Sequence, residues 1–239
     1  MLETNGHLLD GRLRYAQPQA GFRTGVEPVL LAAAVPARPG QRVLEAGTGA
    51  GAGLLCLAAR VPGIEGIGIE IDPAMAALAR RNIAANAVPG LEIIVADILE
   101  VRPAGGFHHA FANPPWHDPA ATPSPVARRA LAKQASVPGL AGWVRALRAP
   151  LLPEGMLTLV IPAAMADGAV EAMRACGLQA IVRTPLWPKA GRPAKLALVS
   201  GRLQPGTDRV APGLVLHEAG GRFTPEADAV LRGGGPIPA

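Results

Sequence analysis

The chain has few aromatics, two cysteines and no long apolar run. Only 3% of its 239 residues are Phe, Trp or Tyr, so a core must be built from Ala, Val, Leu and Ile. Cys56 and Cys176 lie far apart, which argues against both a disulfide framework and a cysteine-based zinc site. Cys56, in GLLCLAARV, reads as a core residue. No apolar stretch approaches the roughly 18–20 residues that a bilayer span requires. The opening MLETNGHLLDGR has no basic stretch followed by an apolar one, so no secretory signal is expected, and a cytoplasmic location is. Charged residues make up only 17%, yet hydrophobic residues reach 49% and mean hydropathy is +0.25, too apolar for a disordered chain. The 29 glycines and 25 prolines stay below the share that signals low complexity. One folded α/β domain is the expectation.

The formal net charge of +5 is unevenly placed. Residues 1–100 carry 8 Lys or Arg against 10 Asp or Glu. Residues 117–150 carry Arg128, Arg129, Lys133, Arg145 and Arg148 against Asp118 alone. Residues 183–209 carry Arg183, Lys189, Arg192, Lys195, Arg202 and Arg209 against Asp208 alone. An acidic first part beside a basic second part suits a phosphate-bearing partner. The simpler alternative is a solvated surface in a chain that favours arginine.

Elements alternate along the chain. Short apolar runs predict strands at 42–46, 64–71, 91–96, 107–112 and 156–161, with helices at 53–61, 74–87 and 163–177 between them. Asp72-Pro73 has the form of a helix N-cap followed by proline at the first helical position. Strands near 178–184 and 194–200 complete the pattern. The expected fold is a doubly wound, mostly parallel α/β sheet of Rossmann type with an antiparallel closing strand. A single domain is expected over 1–239, with segment 1–40 packing on the core and 117–136 a mobile substrate loop. The tail holds a strand-like GLVLHE and a helix-like PEADAVLR whose place the pattern does not fix.

In such a sheet ligands lie beyond the carboxyl ends of the strands. Gly47-Thr48-Gly49-Ala50-Gly51-Ala52-Gly53 follows the first parallel strand and opens a helix. Its glycines allow close backbone approach, and the helix N-terminus suits a polar or negative group. Gly47-x-Gly49-x-x-Ala52 also satisfies the dinucleotide pattern, with Glu70 about 20 residues further on, where a ribose-binding acid belongs. The turn alone therefore leaves a nicotinamide enzyme and an S-adenosylmethionine (SAM) enzyme both open. Two more acids favour SAM. Glu45 stands where an acid would face the positive amino and sulfonium groups but would repel a pyrophosphate. Asp97, after the third strand, can accept a hydrogen bond from an adenine amino group.

Asn113-Pro114-Pro115-Trp116 follows the fourth strand and overhangs the same cleft. The prolines fix the backbone, so that the Asn113 amide oxygen and the Pro114 carbonyl point outward. An exocyclic amino group is a poor nucleophile because its lone pair is delocalised. Two acceptors gripping its N–H groups would draw the nitrogen towards pyramidal geometry, while Trp116 offers a stacking face worth about 1–3 kcal/mol for a base. In-line attack on the SAM methyl then needs mainly positioning, with no metal.

With LEAGTGAG and NPPW together, the chain resembles the Rossmann-type amino-group methyltransferases, and within them the tRNA(Val) adenine N6-methyltransferase family. The narrower likeness rests on GRLRYAQPQAGFRTGVEPVLLAA, the loop PWHDPAATPSPVARRALA, LWPKAGRPAKLALV and GLVLHEAGGRFTPEADAVLR. It implies that Glu45, Gly47 and Gly49 hold the methionine part of SAM, Glu70 the ribose and Asp97 the adenine. Asn113, Pro114 and Trp116 would grip the target amino group. Arg23, Thr24, Gly25 and Glu27 match an element that closes over SAM in related enzymes. The implied activity is methyl transfer to adenine N6 in tRNA, with Arg128, Arg129, Lys189, Arg192 and Lys195 as a phosphate grip. Glu45 stands where Asp is usual, and Trp116 where Tyr or Phe is. A planar NH2 group is common to adenine in DNA and to a protein glutamine amide, so both remain alternatives. So does a non-catalytic SAM-binding module. A nicotinamide dehydrogenase is opposed by Glu45 and leaves NPPW without a use.

Overall fold

A computed structural model describes residues 2–20, 23–115 and 137–238. Its strands are β1 (Glu3–Leu8), β2 (Leu13–Pro18), β3 (Arg42–Ala46), β4 (Glu65–Glu70), β5 (Leu91–Val95), β6 (Phe107–Ala112), β7 (Leu151–Pro162), β8 (Gln179–Lys189), β9 (Leu196–Arg202), β10 (Arg209–Val210) and β11 (Leu214–His217). Its helices are α1 (Glu27–Ala34), α2 (Ala52–Arg60), α3 (Pro73–Ala85), α4 (Val137–Arg148), α5 (Ala166–Ala175) and α6 (Pro225–Leu231). One nine-stranded sheet runs β10-β8-β9-β7-β6-β3-β4-β5, with β11 also paired to β8. Strand β9 is antiparallel to both neighbours, and every other pairing in this sheet is parallel. The doubly wound expectation holds, and β9 is the reversed strand.

Alternation along β3 sorts the two cores. Val43 packs with Leu54, Leu55 and Leu57 of α2, while Leu44 and Ala46 pack with Val144 and Leu147 of α4 on the opposite face. Each fully buried leucine contributes about 1.5–3 kcal/mol relative to exposure. Parallel strands covered on both faces have to be apolar throughout, and β6 (FHHAFA) departs from this only at its histidines. His109 is buried and bonded to Gln41, and burial pushes its pKa down to about 4. His108 accepts the Arg42 backbone N–H on the neighbouring strand.

The tail that the sequence pattern left unplaced widens the sheet. β10 and β11 lie end to end along the free edge of β8, and α6 follows, capped by the Thr224 hydroxyl on the Ala227 N–H. The Ile237 N–H donates to the Ala33 carbonyl, and Arg12 donates to the Gly233 carbonyl, so both chain ends are bound to one face. On that face, β1 and β2 form an antiparallel hairpin against α3. The segments called a mobile loop, 117–136, and Trp116 lie outside the described residues.

Candidate active site

The register brings the separate motifs level. β3 pairs in parallel with β4 and β6, with Ala46 opposite both Ile69 and Ala112. Gly47, Glu70 and Asn113 are the residues that follow or end these pairings on three neighbouring strands. Strand order alone puts the glycine turn, the β4 acid and the Asn-Pro-Pro segment side by side at the carboxyl edge.

The turn is held on every side. The N–H groups of Gly47 and Thr48 donate to the Ile69 carbonyl, and the Gly49 N–H donates to Glu70 Oε2 at 2.8 Å. Glu70 takes the Asp72 N–H on its other oxygen, and burial raises its pKa. Gly47 has φ +67°, a conformation that favours glycine, and a Cβ there would stand 3.2 Å from Cη2 of Trp143.

Glu45 lies beneath the turn rather than on its open side. Alternation points it to the α2 face, where it is buried. Its Oε2 accepts the Thr48 hydroxyl at 2.5 Å and the Leu54 N–H at 3.1 Å, in the first turn of α2. A Cβ on Gly53 would collide with Oε1, so glycine is required there for space. Desolvation pushes the Glu45 pKa up to about 8.

Asp97 accepts the Leu99 N–H at 2.8 Å, closing a local turn after β5. Beside it and beside Glu70 stand two residues that sequence reasoning missed. Ile71 and Leu99 are each 52% exposed, large apolar side chains flanking the strand-end acids. Trp143 was missed as well: α4 brings it over Gly47 and brings Gly142 against Leu99. The available signal was an apolar residue one or two positions after each acid; nothing local marks Trp143.

Asn113 is half-buried, and its side-chain amide has no hydrogen-bond partner among the described residues; Pro114 is buried. The Thr24 hydroxyl bonds the Tyr15 hydroxyl at 2.7 Å, and the Thr24 N–H donates to Gln17. Tyr15 is buried close enough to Glu45 for that charge to help raise its pKa, mainly raised by burial. Thr24 is thus held against β2, while Arg23 and Gly25 are exposed. Glu27 opens α1 and folds over Gly25. Lys189, Arg192 and Lys195 are exposed on the β8–β9 connection, at the same carboxyl edge; Arg128 and Arg129 fall outside the described residues. No group of three or more His, Cys, Asp or Glu among the described residues could hold a metal.

A glycine cradle, strand-end acids, exposed apolar side chains beside those acids and an amide without a partner among the described residues fit an adenosyl cofactor bearing a reactive methyl group. The comparisons agree. Residues 26–142 match the methyltransferase small domain. The fold resembles that of a predicted O-methyltransferase from Agrobacterium tumefaciens, with TM-score 0.71 and 24% identity over 89% of this chain and 98% of that one. It also resembles a geranyl diphosphate C-methyltransferase from Streptomyces coelicolor bound to S-adenosyl-L-homocysteine, with TM-score 0.53 and 13% identity over 73% and 74% of the two chains. The chain shares the fold of these methyltransferases. Among named relatives, the tRNA1(Val) (adenine(37)-N6)-methyltransferase of Aeromonas hydrophila is 29% identical over 86% of this chain and 87% of its own. The enzyme of the same name from Bacteroides thetaiotaomicron is 27% identical over 76% and 77%.

Proposed function

We propose that the protein methylates the exocyclic amino group of adenine, N6, in a tRNA. The observation that carries this reading is the pairing of Ala46 with Ala112, after which the glycine turn and the Asn113-Pro114 segment leave neighbouring strands at the same edge. Bound SAM supplies a methyl group on a positively charged sulfur. The chain's own part is to orient. Asn113 Oδ1 and the Pro114 carbonyl accept the two N–H bonds of the amino group, and its nitrogen lone pair is turned towards the methyl. Gly47 and Gly49 admit the methionine end, Glu70 accepts from the ribose hydroxyls, and Asp97 accepts from the adenine amino group. Ile71 and Leu99 flank the adenine ring. Arg23, Thr24 and Gly25 border the cofactor from the N-terminal side. Glu45 acts through the turn, holding its shape from beneath through Thr48 and Leu54.

The relatives' names support tRNA as the substrate, and so does charge. Lys189, Arg192 and Lys195 stand on the edge that carries Asn113, where a polyanion entering the cleft meets them first. Arg128, Arg129 and Trp116, outside the described residues, are the further candidates for contact with such a substrate by residue type, and a cytoplasmic location would suit it. Labelled SAM offered with tRNA, DNA and a protein extract tests the proposal. Label is expected in tRNA; label in protein would move the substrate to a glutamine amide, and label in DNA to a DNA adenine.

A further inference from the structure

Helix α3 carries two asparagines four residues apart, Asn82 and Asn86, and both face the free backbone edge of β2. Asn82 Oδ1 accepts the Ala16 N–H and its Nδ2 donates to the Ala16 carbonyl, each at 2.9 Å. Asn86 repeats the pattern on Arg14, with 2.8 Å for each bond. The match is geometric: four helical residues rise about 6 Å, and two strand residues about 6.6 Å. Two amides therefore serve the hairpin as a neighbouring strand would.

Asn82 differs from Asn86 in one respect. It is buried, and its Nδ2 also donates to the Ala50 carbonyl at 2.9 Å. Ala50 is in the glycine turn, directly before Gly51 (φ +89°), and is itself buried. One side chain thus satisfies the backbone of the hairpin and that of the cofactor turn. The hairpin in turn carries Tyr15 and Gln17, which hold Thr24.

We propose that Asn82 is a positioning residue that couples docking of the N-terminal hairpin to the shape of the cofactor-binding turn. The inference rests on the reading of Gly47–Gly51 as that turn. Without Asn82 the buried Ala50 carbonyl loses its donor, and the turn and hairpin are free to move independently. Coupling between two sites is reciprocal, so a cofactor that fixes the turn also steadies the hairpin.

Two measurements test it, both using S-adenosylhomocysteine as the probe: calorimetric affinity, and amide hydrogen exchange of residues 13–18. In the wild type the probe is expected to slow exchange at 13–18. Asn82→Ala should weaken binding about 10-fold, within the usual range for coupled sites, and abolish that protection. Asn86→Ala loosens the hairpin without touching the turn, and should lower thermal stability while leaving affinity near that of the wild type. A purely structural Asn82 would behave like Asn86, and that result overturns the proposal. So does wild-type protein that binds the probe with no change at 13–18, a result that stands even if Asn82→Ala does not fold. Failure of the wild type to bind the probe at all would instead sink the cofactor reading on which the inference rests.

Discussion

Glu45 shows how one residue departs from its motif. The sequence places an acid two residues before the first glycine, and that much is legible. Its direction is not, because it depends on strand alternation and on Gly53 leaving room in α2. A carboxyl with its pKa pushed up to about 8, against 4.5 ordinarily, binds a proton in the folded state that the unfolded chain has released. The folded state therefore holds more protons between about pH 4.5 and 8, and stability falls as pH rises through that window. The thermal midpoint of the cofactor-free protein should drop from pH 5 to pH 8, and Glu45→Gln should flatten that slope. An unchanged slope in the variant would mean the carboxyl is already charged. Gly53→Ala forces a methyl group onto the same carboxylate and should cost about 1–3 kcal/mol in denaturant unfolding, the usual range for overpacking.

At the scale of elements, legibility follows how local the cause is. The unit from β3 through the glycine turn to α2 and β4 is written in contiguous residues: apolar runs, a glycine cluster, and Asp72 capping α3 through the Ala74 and Met75 N–H groups. The β1–β2 hairpin was not read, since ETNGHL offers no apolar alternation. Its partners Asn82 and Asn86 come 66 and 72 residues later than the backbone they bind. Helix α4 was missed too, because VPGLAGWVRALR has proline at its second position and carries two glycines in its first half. Yet α4 delivers Trp143 to Gly47. Gly47→Ala would both strain a left-handed backbone position, at about 1–2 kcal/mol, and press on that ring. It should weaken S-adenosylhomocysteine binding in calorimetry well beyond any loss of thermal stability; equal affinity would place the cofactor away from this turn.

On the scale of the whole molecule, the asymmetry of charge becomes an asymmetry of place. The basic residues of 183–209 divide between two ends of β8. Arg183 is ion-paired to Asp167, and Arg174 to Asp208, near its start. At its far end, Lys189 donates to the Ala219 carbonyl, and the connection continues through Arg192 and Lys195 at the edge that carries Asn113. Counting charges could not separate these groups; the strand's direction does. Replacing Lys189, Arg192 and Lys195 by alanine should weaken tRNA binding and lower the slope of log affinity against log salt by up to about 3. An unaltered slope would remove this edge from the RNA path.

The most direct test of the central claim is nucleoside mass spectrometry of tRNA incubated with the enzyme and SAM bearing a deuterated methyl group. The account predicts label in N6-methyladenosine. It further predicts a rate at least about 100-fold lower for Asn113→Ala, the scale of losing one positioned hydrogen-bonding group, with S-adenosylhomocysteine affinity retained. Label on a ribose or on another base, or undiminished transfer by Asn113→Ala, would contradict it.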